Sequence, residues 1–460
     1  MFVCVCFNLT LLSQQQSALL QASRRVLQFG AGFGPQGQLV YAGSSVSDAQ
    51  VRLARLRGEG ATRPATEALQ LHKAHFWDAR DAGTTAAVLA DSFVKQSAQC
   101  EGLSEEERSC WRLAAALWGA VEEDGDPNPF REGATRRRLL SVWLEQAVRA
   151  AVVAEVAAAG ASVPGRVLAL LSGHRVQEAV EECLQHRYMR LAAIVAACAT
   201  THESKYCLSQ QEWSKEFVDA EERRVFQMLS GGNDEFFAAS QLGWIRNLGV
   251  FLWYRFAWDR PIASIFRAFD SFMRKSGTPV NDFRFNLIRL FSDPSQPPHE
   301  VLEPESYGDN PLNWRLAYMM RFALSQLPQR ASAEARLVLP LASDAATGVR
   351  LASRFAEQLE QMGLWHWAAY VLLAEPHLPP AAKQAAIRGL LERSSGSTML
   401  REEGGDEFVA SLGAEWVVQE LARAKRLFEG RLTSPAAAAM LQSDNRGQLY
   451  DAAEAYLLQF

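Results

Sequence analysis

Four groups of residues have types and spacings that invite chemistry. Gly30–Gly34 reads GAGFG, and a glycine-rich turn of that kind can bring backbone N–H groups against a phosphate. The third glycine of the dinucleotide fingerprint would stand at position 35, which is Pro35, and no long helical pattern follows. No nucleotide site is expected there. His72 and His75 stand three apart and would share a face of a helix, but no carboxylate or cysteine completes a metal-ligand spacing around them. His202 and Cys207 offer a base and a thiol, yet nothing beside them would activate the sulfur, so a structural role is expected. The aromatic run Trp244, Phe251, Trp253, Tyr254, Phe256 and Trp258 has the material for a pocket; packing between helices is its expected role. No GxxxxGK[ST] or GxSxG motif occurs. These readings point to a protein that is not an enzyme and carries no metal or other cofactor.

Composition agrees with a large folded core. The chain has 460 residues, 48% hydrophobic, with 12 Trp and a formal net charge of −5. That balance excludes a disordered chain and gives no electrostatic case for direct nucleic-acid binding. The compact basic cluster Arg136–Arg138 is expected to be a solvated helix start. Seven cysteines are scattered without a CxxC pair, which suggests reduced thiols in the cytosol or nucleus. No apolar stretch is long enough to span a bilayer. Residues 1–12 faintly resemble a signal h-region but lack its basic start and a small-residue cleavage site.

What would position such residues is mostly helix. Residues 1–23 read as a disordered extension. Within 24–45, apolar runs at Val26–Phe29 and Gln38–Tyr41 flank a Gly/Pro turn, a strand–loop–strand pattern. So small a hairpin is not stable alone, and the rest of the sequence offers no comparable strands, so it is expected to join another protein's sheet. Residues 46–75 read as a linker. From 76 to 460 the pattern is helix after helix, with clear segments at 104–121, 134–159, 174–199, 259–274, 312–327 and 347–393. In residues 350–373 a stripe of Leu351, Phe355, Leu359 and Met362 is followed by Gly363 and a second apolar run through Trp367, Val371 and Leu372, which predicts two helices joined by a left-handed stop. Units of this size without a strict period suggest a stacked α-solenoid. Prolines crowd 292–311, the longest expected interior loop.

Several of these stretches also resemble a known family. RFAEQLEQMGLWHWAAYVLL (residues 354–373), the Ser23–Tyr41 segment SRRVLQFGAGFGPQGQLVY, RLLSVWLE at Arg138–Glu145, the Gly173–Ala192 hairpin and NPLNWRLAY at Asn310–Tyr318 occur in the order seen in the nucleoporin 96 family. The resemblance implies an all-α, U-shaped irregular solenoid related to vesicle coat proteins, with its C-terminal tail incomplete here. It implies that a short N-terminal β segment is donated to an open six-bladed β-propeller as its seventh blade. The residues that would make that insertion are Arg25, Val26, Phe29, Phe33, Gly34, Pro35, Leu39 and Val40. Its implied role is a scaffold of the Y-shaped complex of the nuclear pore at the nuclear envelope, contacting other scaffold nucleoporins and supporting transport of protein and mRNA. The alternatives are an outer-coat vesicle protein that uses the same propeller and, more remotely, an all-α enzyme with a pocket at Trp244–Trp258.

Overall fold

In the computed structural model, the residues described are 31–33, 38–42, 51–55, 59–81, 84–121, 129–158, 162–200, 219–232, 236–237, 242–277, 280–293, 296, 301–302, 304, 313–327, 344–394 and 405–432. They form one small sheet and a long series of helices. Strands β1 (Ala31–Phe33), β2 (Gln38–Ala42) and β3 (Val51–Arg55) make an antiparallel sheet in the order β1-β2-β3. The helices are α1 (Glu59–Phe76), α2 (Ala86–Ser97), α3 (Glu105–Trp118), α4 (Pro129–Ala157), α5 (Val163–Ser172), α6 (Val176–Gln185), α7 (Met189–Thr200), α8 (Ala220–Leu229), α9 (Trp244–Val250), α10 (Ile262–Lys275), α11 (Phe283–Ser292), α12 (Arg315–Gln326), α13 (Ala345–Gln361), α14 (Trp365–Ala374), α15 (Pro380–Ser394), α16 (Gly405–Ser411) and α17 (Glu415–Leu432).

Two sequence expectations need correction here. The span 46–75, read as a linker, contains β3 and all but the last residue of α1. Its charges and glycines hid a weak signal. The buried stripe of α1 is Ala65, Ala68, Leu69 and His72, mostly small residues at helical spacing, and β3 is VRLAR, a short alternation. The first strand is Ala31–Phe33, inside the stretch read as a turn; Val26–Phe29 lies outside the described residues. Glycine weakens a strand interior but is tolerated at an edge, where β1 lies.

The chain divides into two compact units, one of residues 1–63, 312–318 and 345–460 and the other of residues 64–311 and 319–344. In the second unit α2 to α7 pack each on the next. The return limb then retraces the outgoing one. Helix α8 packs on α7 and α5, α9 on α5 and α4, and α11 on α3, while Phe322 of α12 sets its ring 5.0 Å from Phe76 and 4.7 Å from His72 of α1. A doubled row of this kind buries an apolar flank along each limb.

Helical hairpins turn where a left-handed residue closes the first helix. After α13, Gly363 has φ 84°, and the Leu364 N–H donates back to the Leu359 carbonyl at 2.8 Å, the double-back bond of a Schellman motif. The same bond, from Tyr188 to Cys183 at 2.8 Å, closes α6. There the left-handed residue is Arg187, φ 63°, which costs about 1 kcal/mol relative to glycine. Helix starts are capped by short polar residues: Ser104 accepts from the Glu107 N–H at 3.2 Å and Ser162 from the Gly165 N–H at 3.0 Å. Glu105–Glu107 occupy the first turn of α3 as its dipole favours.

In the first unit α14 packs against α13, α15 and α16. Trp367 stands 4.4 Å from the Phe408 ring and 5.8 Å from Tyr370. A Cβ on Gly405 would lie 2.7 Å from Trp365, so only glycine lets α16 approach this closely. Trp367 is 4% exposed. Trp367→Ala is expected to cost about 3–5 kcal/mol, read as a lowered urea midpoint for the transition that includes α14; an unchanged midpoint would contradict this packing.

Candidate partner-binding site and the residues singled out by chemistry

Register assigns each sheet residue its place. Phe33, Leu39 and Ala54 form one row across the sheet, Gly32, Val40 and Leu53 the next, and Ala31, Tyr41 and Arg52 a third. Successive rows belong to opposite faces. One face therefore receives Ala31, Phe33, Leu39, Tyr41, Arg52 and Ala54. The other receives Gly32, Gln38, Val40, Ala42, Val51, Leu53 and Arg55. Both sets are dominated by apolar residues, unlike an antiparallel sheet with one face to water. Of the insertion residues expected from sequence, Phe33 falls in β1 and Leu39 and Val40 in β2; Arg25, Val26, Phe29, Gly34 and Pro35 lie outside the described residues. Val51 and Leu53 of β3 pair with Ala42 and Val40 and were not singled out from sequence. Their alternation with Arg52 and Ala54 was the available signal.

The pair His72 and His75 is brought onto one face of α1, but for packing. His72 is fully buried among the rings of Phe76, Phe93 and Phe322. Burial first, and the charge of His75 second, hold it down from the ordinary 6.5 to about 3. His75 shares its Nδ1 with the Leu71 carbonyl at 2.9 Å and its Nε2 with Ser92 Oγ at 3.3 Å. Among the described residues no three His, Cys, Asp or Glu side chains gather to hold a metal ion. Burial also raises the Cys110 thiol and pushes Cys183 up to about 11, so neither is a thiolate near neutral pH. His202 and Cys207 lie outside the described residues.

The aromatic run splits between core and latch. Phe251 packs against Phe237, Phe269 and Phe272. Trp244 donates its indole N–H to Asp282 at 3.0 Å. Residues Phe251–Arg255 form a π-helical turn, and its side chains bond the outgoing limb: Trp253 Nε1 donates to Ser141 Oγ at 2.7 Å, and the Tyr254 hydroxyl to the Leu171 carbonyl at 3.0 Å. His174 stacks on Trp253 at 4.7 Å and 8°. Trp258, in contrast, is 76% exposed.

The basic cluster is not a solvated helix start. Arg136 is buried and bonded to Glu132 at 2.8 Å and to the Leu117 carbonyl at 2.6 Å. Arg137 donates to four carbonyls beyond α9, those of Leu252, Phe256, Ala257 and Arg260. The last carbonyls of a helix have no partner within it, and a cation there also meets the negative end of the dipole. Only Arg138 of the three is exposed.

The described residues thus define a mostly α-helical protein in which His72, Arg136, Arg137 and most of the aromatic run pack helices or cap their ends. It belongs to the Nup96 family: the family model described as Nuclear protein 96 matches residues 165–422, more than half of the chain. The Nuclear pore complex protein Nup98-Nup96 of Drosophila melanogaster is 27% identical to it over 319 residues, covering 62% of this chain and 16% of that protein. The protein of the same name from Dictyostelium discoideum is 22% identical over 329 residues, with the same two coverages of 62% and 16%. Nuclear pore complex protein NUP96 of Arabidopsis thaliana is 23% identical over 325 residues, 62% of this chain and 29% of that protein. The chain therefore spans less than a third of the length of each of these relatives.

Two outcomes follow from this geometry. Arg137→Met leaves four carbonyls without their donor and is expected to cost about 2–4 kcal/mol, while Arg137→Lys recovers part of it, both read by denaturant unfolding. The unfolded chain protonates His72 below about pH 6.5, whereas the folded chain does so only near pH 3. The stability held by neutral His72 is therefore complete above pH 6.5 and is lost as pH falls toward 3. His72→Leu is expected to flatten the unfolding-midpoint profile between pH 6.5 and 4 relative to the parent; an equally steep profile would reject that assignment.

Proposed function

We propose that this protein is a structural scaffold component of the nuclear pore complex at the nuclear envelope, and that within the Y-shaped complex it supports the transport of protein and mRNA. Family membership is the observation that carries this reading, and the names of the relatives, all nuclear pore complex proteins, support it. Its helices form an irregular solenoid. The reversed order in which α8, α9 and α11 meet the outgoing limb supports a chain that runs out and turns back. A scaffold needs surface and stiffness, and among the described residues that invited chemistry, His72, Phe251 and Tyr254 are spent on packing.

The N-terminal sheet is the part that reaches a second protein. Its register gives two apolar faces, and a three-stranded sheet has little else with which to bury them. A blade between two neighbouring blades of an open β-propeller is covered on both sides at once. Its outer strands also present unpaired main-chain groups that a partner strand can complete. Helical surfaces then contact other scaffold nucleoporins.

A tagged copy is expected at the nuclear rim. Puncta at vesicle exit sites would instead support an outer-coat vesicle protein. Val40→Asp and Leu53→Asp, one in β2 and one in β3, each place a charge in an apolar row. Both variants are expected to lose co-purification with the propeller while keeping the helical circular dichroism signal; retention in both would remove the blade assignment and leave the pore assignment standing.

A further inference from the structure

Helix α4 is apolar on two sides. Its inner side, Leu140, Trp143, Leu144, Val148 and Val152, is buried in the second unit. Its outer side carries Leu139, Val142 and Val153 at 37%, 42% and 47% exposure, together with exposed Gln146 and Ala150. Counted from Gln146, these residues stand at minus seven, minus four, plus four and plus seven. The stripe is a palindrome: Leu, Val, Gln, Ala, Val read outward from the centre gives an apolar residue at matching distances in both directions. The spacing of three, four, four and three keeps all five residues on one strip of the helix surface.

We propose that α4 pairs antiparallel with α4 of a second copy of this chain about a two-fold axis at Gln146. A two-fold interface joins a patch to itself, so the patch must be self-complementary. With the axis at Gln146, Leu139 of one copy lies opposite Val153 of the other, Val142 opposite Ala150, and the two Gln146 amides face one another as donor and acceptor. Charge fits the same register. Arg149 is exposed and Glu145 half-buried beside the stripe. At a rise of about 1.5 Å per residue, Arg149 of one copy comes within about 3 Å, along the axis, of Glu145 of the other, and on the same side of the seam. Glu145 is already oriented by Ser141 Oγ and His174 Nδ1, each at 2.8 Å, so the carboxylate is held in place before the second copy arrives. A single helix pair buries less than the roughly 1,200 Å² of a standard interface, so the dimer is a weak one that forms as concentration rises.

Sedimentation equilibrium of the full chain tests this. The parent is expected to pass from monomer to dimer across the accessible concentrations. Gln146→Glu and Gln146→Lys, on an exposed face that folding does not need, each set like charges against each other at the axis and are expected to weaken self-association about tenfold or more. Mixing the two variants is expected to restore association as a mixed dimer, an outcome specific to residue 146 meeting its own counterpart. A parent that stays monomeric at every concentration would overturn the proposal, as would single variants that associate like the parent or a mixture that does not recover.

Discussion

The second unit depends on closing the ends of helices that are far apart in the chain. Arg137 is the clearest case. One guanidinium gathers carbonyls 115 to 123 residues away, at a π-helical turn where the ordinary ladder of the helix has already been broken. Trp253, Tyr254 and Arg246 answer from the other side. The Arg246 Nε donates to Ser172 Oγ at 2.8 Å and its Nη1 meets Glu155 at 2.5 Å. Apolar contact alone would let two limbs slide along each other by a turn. Hydrogen bonds from planar groups to specific carbonyls fix the register, because a carbonyl left dry and unmatched costs more than the bond gains when made.

The small sheet faces the opposite constraint. It has more apolar surface by pattern than three short strands can cover, while the helices are closed around their own cores. Most helices cover their own cores, and the sheet is the element for which we propose a partner chain. For a member of the Nup96 family that we propose to be a scaffold, such an arrangement would let the chain hold its own form and also grip neighbours.

Much of the helical layout was legible. The hairpin of α13 and α14 showed in Leu351, Phe355 and Leu359, because large apolar residues at helical spacing followed by glycine admit few other readings. The α6–α7 pair was also legible, as the Gly173–Ala192 hairpin, even though the left-handed residue at its turn is an arginine, Arg187. What could not be read was carried by distant or small groups. The clamp of Arg137 leaves no local mark, since its partners are backbone carbonyls a quarter of the chain away, and charge alone made the cluster look solvated. Helix α1 hid behind alanines and a buried histidine. Strand β3 is only five residues long, two of them arginines, too short for alternation to stand out, so β2 was legible and Val51 and Leu53 were not.

The retraced order of the limbs has a consequence for synthesis. A chain leaving the ribosome completes α3, α4 and α5 long before α9 and α11 exist to cover them. The inner flank of α3 must wait, wet and adhesive, through more than a hundred residues of translation before α11 is made. Nascent molecules on one messenger would meet through these flanks unless something shields them, so the fold sets a demand for chaperones that falls on its early half.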